Sequence, residues 1–336
     1  WNGDRPTSRS PGTGPNAGVK EHNVRQARAL SGYVQNTARL GEFALSGGLR
    51  YETIEFERSD KLGGRRGESD LQALIPGAGI TWTPQPDLTV FAGVHRGFSP
   101  PRVEDVITDG GGSVELEEER SVNTELGVRA RLAPGLRAEA VLFRMDFENQ
   151  IVPSSVAGGL GATLSSAGET LHQGLEGALS FSSREAYGTT GDLYAEGALT
   201  YVAQARYEGD RFSSIPGFRT VSVTGNRLPY APETLARAAV GYEAASGLRG
   251  EIEAVYTGEM FADDLNTLTP TPDGQRGLIE ETLVWNLAAS APVPGAPVRV
   301  LLSVRNLFDE TFIVDRSRGI LPNEPRIAQL GLELRF

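Results

Sequence analysis

Seven arginines lie where a strand pattern gives way to a connection. Arg96 and Arg102 flank the end of a strand pattern over 88–98. Arg211, Arg219 and Arg227 fall in the longest connection, 208–231, and Arg316 and Arg318 in the last, 309–323. A guanidinium presents a rigid fork of N–H donors that matches a carboxylate in two-point hydrogen bonding, so arginines gathered at one rim suit a multiply charged anion. For any single arginine, solubility and loop ion pairing are the commoner roles. The three histidines, His22, His95 and His172, are far apart in the chain, and His95 and His172 fall on strand faces opposite the main apolar residues, which gives no support to a three-histidine metal site. The run "DDLN" at 263–266 offers carboxylate and amide oxygens of the kind that hold calcium, although a solvated acidic loop has the same composition. Serines abound, but there is no G-x-S-x-G elbow and no histidine in a catalytic setting, so a hydrolase has little to stand on.

The elements that would position these residues are strands. In "SVNTELGVRARL" (121–132), Val122, Thr124, Leu126, Val128, Ala130 and Leu132 alternate with Ser121, Asn123, Glu125, Gly127, Arg129 and Arg131. The two-residue period puts the apolar set on one face and the polar set on the other. The last ten residues, "IAQLGLELRF", repeat the pattern and end on Phe336. About thirteen such strands are predicted, near 27–36, 43–57, 71–84, 88–98, 118–132, 136–149, 168–183, 191–207, 232–244, 249–262, 281–291, 297–308 and 324–336. Within 136–149 the apolar phase moves from even positions (through Leu142) to odd ones (Phe143, Met145, Phe147), which predicts a bulge. The connections alternate in length: short at 37–42, 85–87, 133–135, 184–190, 245–248 and 292–296, long at 58–70, 99–117, 150–167, 208–231, 263–280 and 309–323.

Length and composition agree with a β architecture. The 336 residues include 41 glycines, 2 methionines and no cysteine, and no run approaches the ~18 apolar residues of a membrane-crossing helix. A formal charge of −11 argues against a nucleic-acid partner. Twelve-residue strands exceed the usual length in a soluble sandwich, and no repeat supports a propeller. Alternating short turns and long loops are the asymmetry of a transmembrane antiparallel β-barrel, in which one strand face meets lipid. In that reading residues 1–26 form an extracellular loop segment and 27–336 the barrel. An odd strand count cannot close with antiparallel neighbours throughout, so thirteen strands read as the C-terminal part of a larger barrel. Tyr51, Trp82, Tyr242 and Tyr256 are candidates for aromatic girdles.

Several stretches resemble one family in particular, the TonB-dependent outer-membrane receptors: "VFAGVHRGFSPPRVEDV" (90–106), "ELEEERSVNTELGVRARL" (115–132), "GNRLPYAPETLARAAVGYE" (225–243), "VRNLFDETF" (304–312) and the terminal strand ending in Phe336. The resemblance implies about 13 of an expected 22 strands, around an N-terminal plug that this sequence does not show. It implies a receptor that imports a ferric siderophore, energised through the TonB complex, in the outer membrane of a Gram-negative bacterium, with outer-membrane lipid and the barrel-assembly machinery as further partners. No catalysis and no resident cofactor or metal are expected, the ferric chelate being cargo. "GVHRGFSPPR" looks most like the ferric dicitrate type; no ligand residue of the family falls in a motif matched here, so the guanidinium–carboxylate argument alone makes Arg96, Arg102, Arg219, Arg316 and Arg318 the candidate ligand-binding residues, while the terminal Phe336 resembles the assembly signal. Another siderophore, or a non-energised porin, remain the alternatives.

Overall fold

A computed structural model describes residues 2–10, 18–108, 111–114, 116–153 and 164–334. Fourteen strands form one sheet in which every strand is hydrogen-bonded to its neighbour in the order given. They are β1 (Asn2–Ser10), β2 (Gly18–Leu40), β3 (Phe43–Asp60), β4 (Arg66–Gln85), β5 (Leu88–Ser99), β6 (Glu119–Ala133), β7 (Leu136–Pro153), β8 (Leu164–Ser182), β9 (Asp192–Glu208), β10 (Thr234–Glu243), β11 (Arg249–Thr257), β14 (Thr282–Pro292), β15 (Val298–Arg305) and β18 (Ile327–Leu334). Two small hairpins stand in the connections, β12 (Met260–Phe261) with β13 (Leu278–Ile279), and β16 (Ile313–Asp315) with β17 (Leu321–Pro322). Two helical turns, α1 (Val103–Val106) and α2 (Ser183–Tyr187), were not expected from the strand periodicity. All ladder pairs are antiparallel, and among the described residues β1 and β18 do not pair with each other.

One face of this sheet is made of apolar side chains in register. Ala38, Leu45, Ile80, Ala92, Leu126, Leu142, Leu175 and Tyr201 are successive cross-strand partners from β2 to β9. Leu193, Tyr242, Gly250, Ala289, Leu302 and Leu330 continue the same face from β9 to β18. The large members are exposed (Leu126 51%, Leu330 76%), so this face has no partner among the described residues. A row of exposed Leu, Ile and Tyr across the whole sheet is what hydrocarbon solvates and water does not.

The band slips along successive strands. Loop-ward of the first row, β3 stays apolar through Leu49 and Tyr51, whereas on β7 the next outward residue after Leu142 is Arg144. A band of constant height on tilted strands must shift in this way. Phe43 stacks on Trp82, with ring centroids 6.2 Å apart, on the outward face at the turn end, as a girdle requires. The opposite face carries the charges. Arg129 makes a two-point pair with Glu139 at 2.8 and 2.9 Å, and Arg237 bridges Glu196 and Glu253.

Four expectations are corrected. The described part of residues 1–26 is strand, not a loop segment. Residues 2–10 are β1 and 18–26 are the start of β2, paired with each other and with the upper part of β3, which gives the fourteenth strand. The long connection expected at 58–70 is a five-residue turn, because Asp60 accepts hydrogen bonds from the Leu62 and Gly63 amides (2.9 and 3.0 Å) and lets both strands run on. No bulge falls where the phase changes, at Leu142–Phe143: the β6–β7 register is continuous from Arg120↔Glu148 to Arg131↔Arg137, and the β7–β8 register shifts only beyond Phe147. The phase change instead marks where the outward face leaves lipid, so Arg144 and Asp146 pair in water at 2.7 Å while Phe143, Met145 and Phe147 turn inward. The strand expected over 249–262 ends at Thr257, and Met260 and Phe261 belong to the β12–β13 hairpin. Arg335 and Phe336 lie outside the described residues.

The hairpin turns are tight. Gly135, between β6 and β7, has φ +74, and a Cβ there would sit 2.3 Å from the Ser182 carbonyl oxygen, so this position admits only glycine.

Candidate site at the loop end of the sheet

The three C-terminal loops are locked together by side chains. Asp264, in 258–281, accepts from the Ser213 hydroxyl (2.8 Å) and from the amide and hydroxyl of Ser214 (2.7 and 2.9 Å) in 209–233. Asn266 accepts from the Arg227 amide and donates to the Arg227 carbonyl, at 2.8 and 2.7 Å. Tyr230 donates to Asp315 in the last loop, which also receives the Ser317 amide and hydroxyl. The "DDLN" run is therefore neither a calcium loop nor a solvated one. Asp263 and Asp264 are buried and satisfied by protein donors, and among the described residues no group of side chains able to hold a metal ion is found.

The connection after β5 folds inward. Val103, Val106 and Ile107 of the α1 turn pack with Leu116 on Ile54 and Phe56 of β3, forming the described core cluster. Burial of side chains of this size stabilises by roughly 1.5–3 kcal/mol each, which holds the segment against the inner wall. On the same wall His95 lies 3.2 Å from Asn123, and His172 stacks edge-on with Phe147 at 5.3 Å. His95, Asn123, Met145 and His172 are successive cross-strand partners, so both histidines take the inward face. Further down, Gly48, Gly77, Gly79 and Gly93 floor an open trough of about 720 Å³ along β3–β6, with Arg50, Glu125 and Arg129 on its sides.

The seven arginines separate in this frame. Arg96 shares the face of Val94 and is opposite Val122, both outward, and pairs with Glu118 at 3.2 Å. Arg227 is half-buried and structural, donating to the Ala231 and Val202 carbonyls. Arg316 is buried between the last two loops and donates to the Gly274 carbonyl. Arg102, Arg219 and Arg318 are exposed on the loops, with no ion pair among the described residues. Arg211 is different. It lies over the Tyr207 ring at 5.1 Å, its Nη1 is buried with no hydrogen-bond partner among the described residues, and burial pushes its pKa down. Tyr207 is opposite Thr170, which lies on the inward face with His172 and accepts from Gln150.

Sequence reasoning missed the pairing partners, although the quoted stretches contain them. Asn306 of "VRNLFDETF" is a buried turn organiser in the left-handed region: its side chain accepts from the Glu310 amide and donates to the Glu310 and Glu324 carbonyls. In "ELEEERS", Glu117 pairs with Arg120, Glu118 with Arg96, and Glu119 accepts from the Ile151 amide. Arg227 and Tyr230 of "GNRLPY" are loop-locking residues above, and its Asn226 joins them by donating to the Asp264 carbonyl at 2.9 Å.

An antiparallel sheet with one lipid-adapted face, one charged face, short turns and interlocked long loops defines an outer-membrane barrel segment. The family model described as TonB dependent receptor-like, beta-barrel matches residues 1–307, and the chain belongs to that family. Among curated proteins, an iron-regulated outer membrane virulence protein of Vibrio cholerae is 27% identical over 180 residues, 39% of this chain and 27% of that protein. Among solved structures, the ferric citrate transporter FecA in its unliganded form superposes with a TM-score of 0.74 at 21% identity, over 96% of this chain and 47% of that one. The siderophore receptor PiuA from Acinetobacter baumannii gives 0.72 at 18%, over 92% and 43%. The chain thus spans about a quarter of the curated relative and just under half of the solved chains. Membership assigns it to the outer membrane of a Gram-negative bacterium, in a family of transporters rather than enzymes.

Proposed function

We propose that the full-length protein binds an anionic ferric chelate at its loop end and imports it, energised through TonB acting on a plug domain, with ferric citrate the preferred cargo. The observation that carries this reading is Arg211, a half-buried guanidinium on the inward side with an unpartnered N–H. A buried cation lacking a carboxylate is expensive, and an incoming carboxylate would complete it. Exposed Arg102, Arg219 and Arg318 would supply further contacts as the loops settle on the chelate. Arg96 and Arg316 contribute less in this reading, since the first pairs on the outward face and the second is enclosed between loops. The barrel-assembly machinery would read Phe336.

The test is a titration of ferric citrate against the full-length receptor, with Arg211→Gln and with the triple variant Arg102→Ala, Arg219→Ala, Arg318→Ala. A charge-assisted hydrogen bond contributes ~1.5–3 kcal/mol, so Arg211→Gln should weaken binding about tenfold or more. Unchanged affinity in both variants rejects the site. A native receptor that binds no ferric citrate rejects the cargo and leaves the receptor class standing.

A further inference from the structure

A cavity of about 780 Å³ lies between the last two loops and the upper end of β14. Its β14 wall is Leu283 and Trp285, which belong to the outward, lipid-facing side: Leu283 is opposite Tyr256, and Trp285 opposite Ala254. Phe308, edge-on to Trp285 at 6.3 Å, and Leu268 extend the apolar lining. Below it the same face continues as Leu287 and Ala289, so the cavity opens at the loop-side rim of the apolar band, at the level of the outer leaflet's headgroups.

Arg316 lines this cavity and is 5% exposed. Among the described residues its side chain makes one hydrogen bond, to the Gly274 carbonyl at 3.3 Å, its Nε is buried without a partner, and it has no ion pair. A guanidinium held this far from water without an anion is an unfinished site. The remaining polar lining is Glu280, Glu281 and Glu310 with Thr282 and Thr311, Glu281 already accepting from Tyr256. Three carboxylates disfavour a simple anion but are good acceptors for hydroxyl donors. An occupant must therefore offer one acidic group to Arg316, hydroxyls to the carboxylates, and acyl chains to Trp285 and the band below.

We infer that this cavity binds the phosphorylated sugar headgroup of an outer-leaflet glycolipid, the phosphate on Arg316 and the acyl chains along the outward face of β14. The inference is independent of the ferric cargo, because the cavity lies on the outside of the barrel wall.

Native mass spectrometry of the full-length receptor in detergent tests it, with lipid A, dephosphorylated lipid A and inorganic phosphate as probes. Lipid A should bind the native protein, and removal of its phosphates should cost about tenfold. Arg316→Gln should bind both lipid forms equally weakly, and Arg316→Lys should keep part of the preference, while Trp285→Ala should weaken both forms and keep the phosphate preference. Heat-modifiable gel mobility reports that each variant is folded. Equal binding of the two lipid forms by the native protein overturns the proposal without recourse to any variant, as does undiminished binding by folded Arg316→Gln. Saturation by inorganic phosphate with no gain from the lipid would mean a free-anion site and overturn it as well.

Discussion

Tyr230 Oη donates a 2.6 Å hydrogen bond to Asp315 Oδ1 across 85 residues of sequence, tying the loop after β9 to the loop after β15. The Tyr230 hydroxyl first, then the Ser317 hydroxyl and amide, hold the Asp315 carboxyl at about 2, below its ordinary 3.8. A depressed carboxylate pKa means that the contact's contribution is present above the unfolded value near 4 and is lost as pH falls through about 2. A spin label at position 318 should be immobilised at pH 5 and become mobile between about pH 4 and 2. Tyr230→Phe should make it mobile already at pH 5. A label that is equally mobile at both pH values in the native sequence would mean that this bond does not hold the loop.

The Asp264 clamp should matter to the loops and not to the barrel. Its carboxylate takes two hydroxyls and one amide from Ser213 and Ser214, and Ser213 is fully buried. Hydrogen bonds to a charged group contribute ~1.5–3 kcal/mol, so Asp264→Ala should cost the loop a few kcal/mol. The expected result is faster proteolysis within 209–233 at unchanged thermal unfolding of the sheet. A drop in barrel melting with no change in loop cleavage would assign Asp264 the wrong role.

The strands were legible because alternation reports a two-sided solvent directly. Leu126 and Glu125 differ in face whatever the loops do, and the ladder from β3 to β18 follows from that period. The expected bulge at Leu142–Phe143 was misread for a physical reason: lipid ends part-way up a strand, and the apolar residues beyond that height belong to the inner wall, a change of solvent that mimics a change of register. The site was less legible. Arg211 and Arg316 look alike in sequence, yet one meets the Tyr207 ring on the inward side and the other a cavity on the outward side. That difference is made by contacts between distant loops, which no local pattern encodes.

Gly174 should be intolerant of any side chain. It stands at the register shift between Gln173 and Leu175, and an added Cβ would lie 2.0 Å from the Tyr201 carbonyl oxygen, a backbone atom that cannot turn aside. Gly174→Ala must therefore spread β8 from β9 and break ladder hydrogen bonds there. Reduced yield of folded barrel, or a melting temperature several degrees lower, is the expected readout. Gly177→Ala, three residues on, where the nearest atom is 3.9 Å away, is the matched control and should be close to neutral.

The lipid boundary on β7 should fall between Leu142 and Arg144. The two side chains take the same outward face two residues apart, a step of roughly 7 Å along the strand. Leu142 is 55% exposed and lies in the apolar row between Leu126 and Leu175, while Arg144 is paired with Asp146 and near Gln173. A nitroxide at 142 should be relaxed by oxygen, which concentrates in hydrocarbon, and one at 144 by a water-soluble nickel chelate. In bilayer refolding, Leu142→Arg should cost less than the ~2–4 kcal/mol of a charge at the midplane and more than the ~0–1 kcal/mol of one at the interface, because the penalty on the lipid face falls toward the interface and Leu142 lies just inside the boundary. Arg144→Leu should cost far less, since it removes one exposed ion pair of the kind that contributes ~0–1 kcal/mol. Equal accessibility of the two labels to both reagents would dissolve the boundary, and with it the explanation of why Phe143, Met145 and Phe147 turn inward without a bulge.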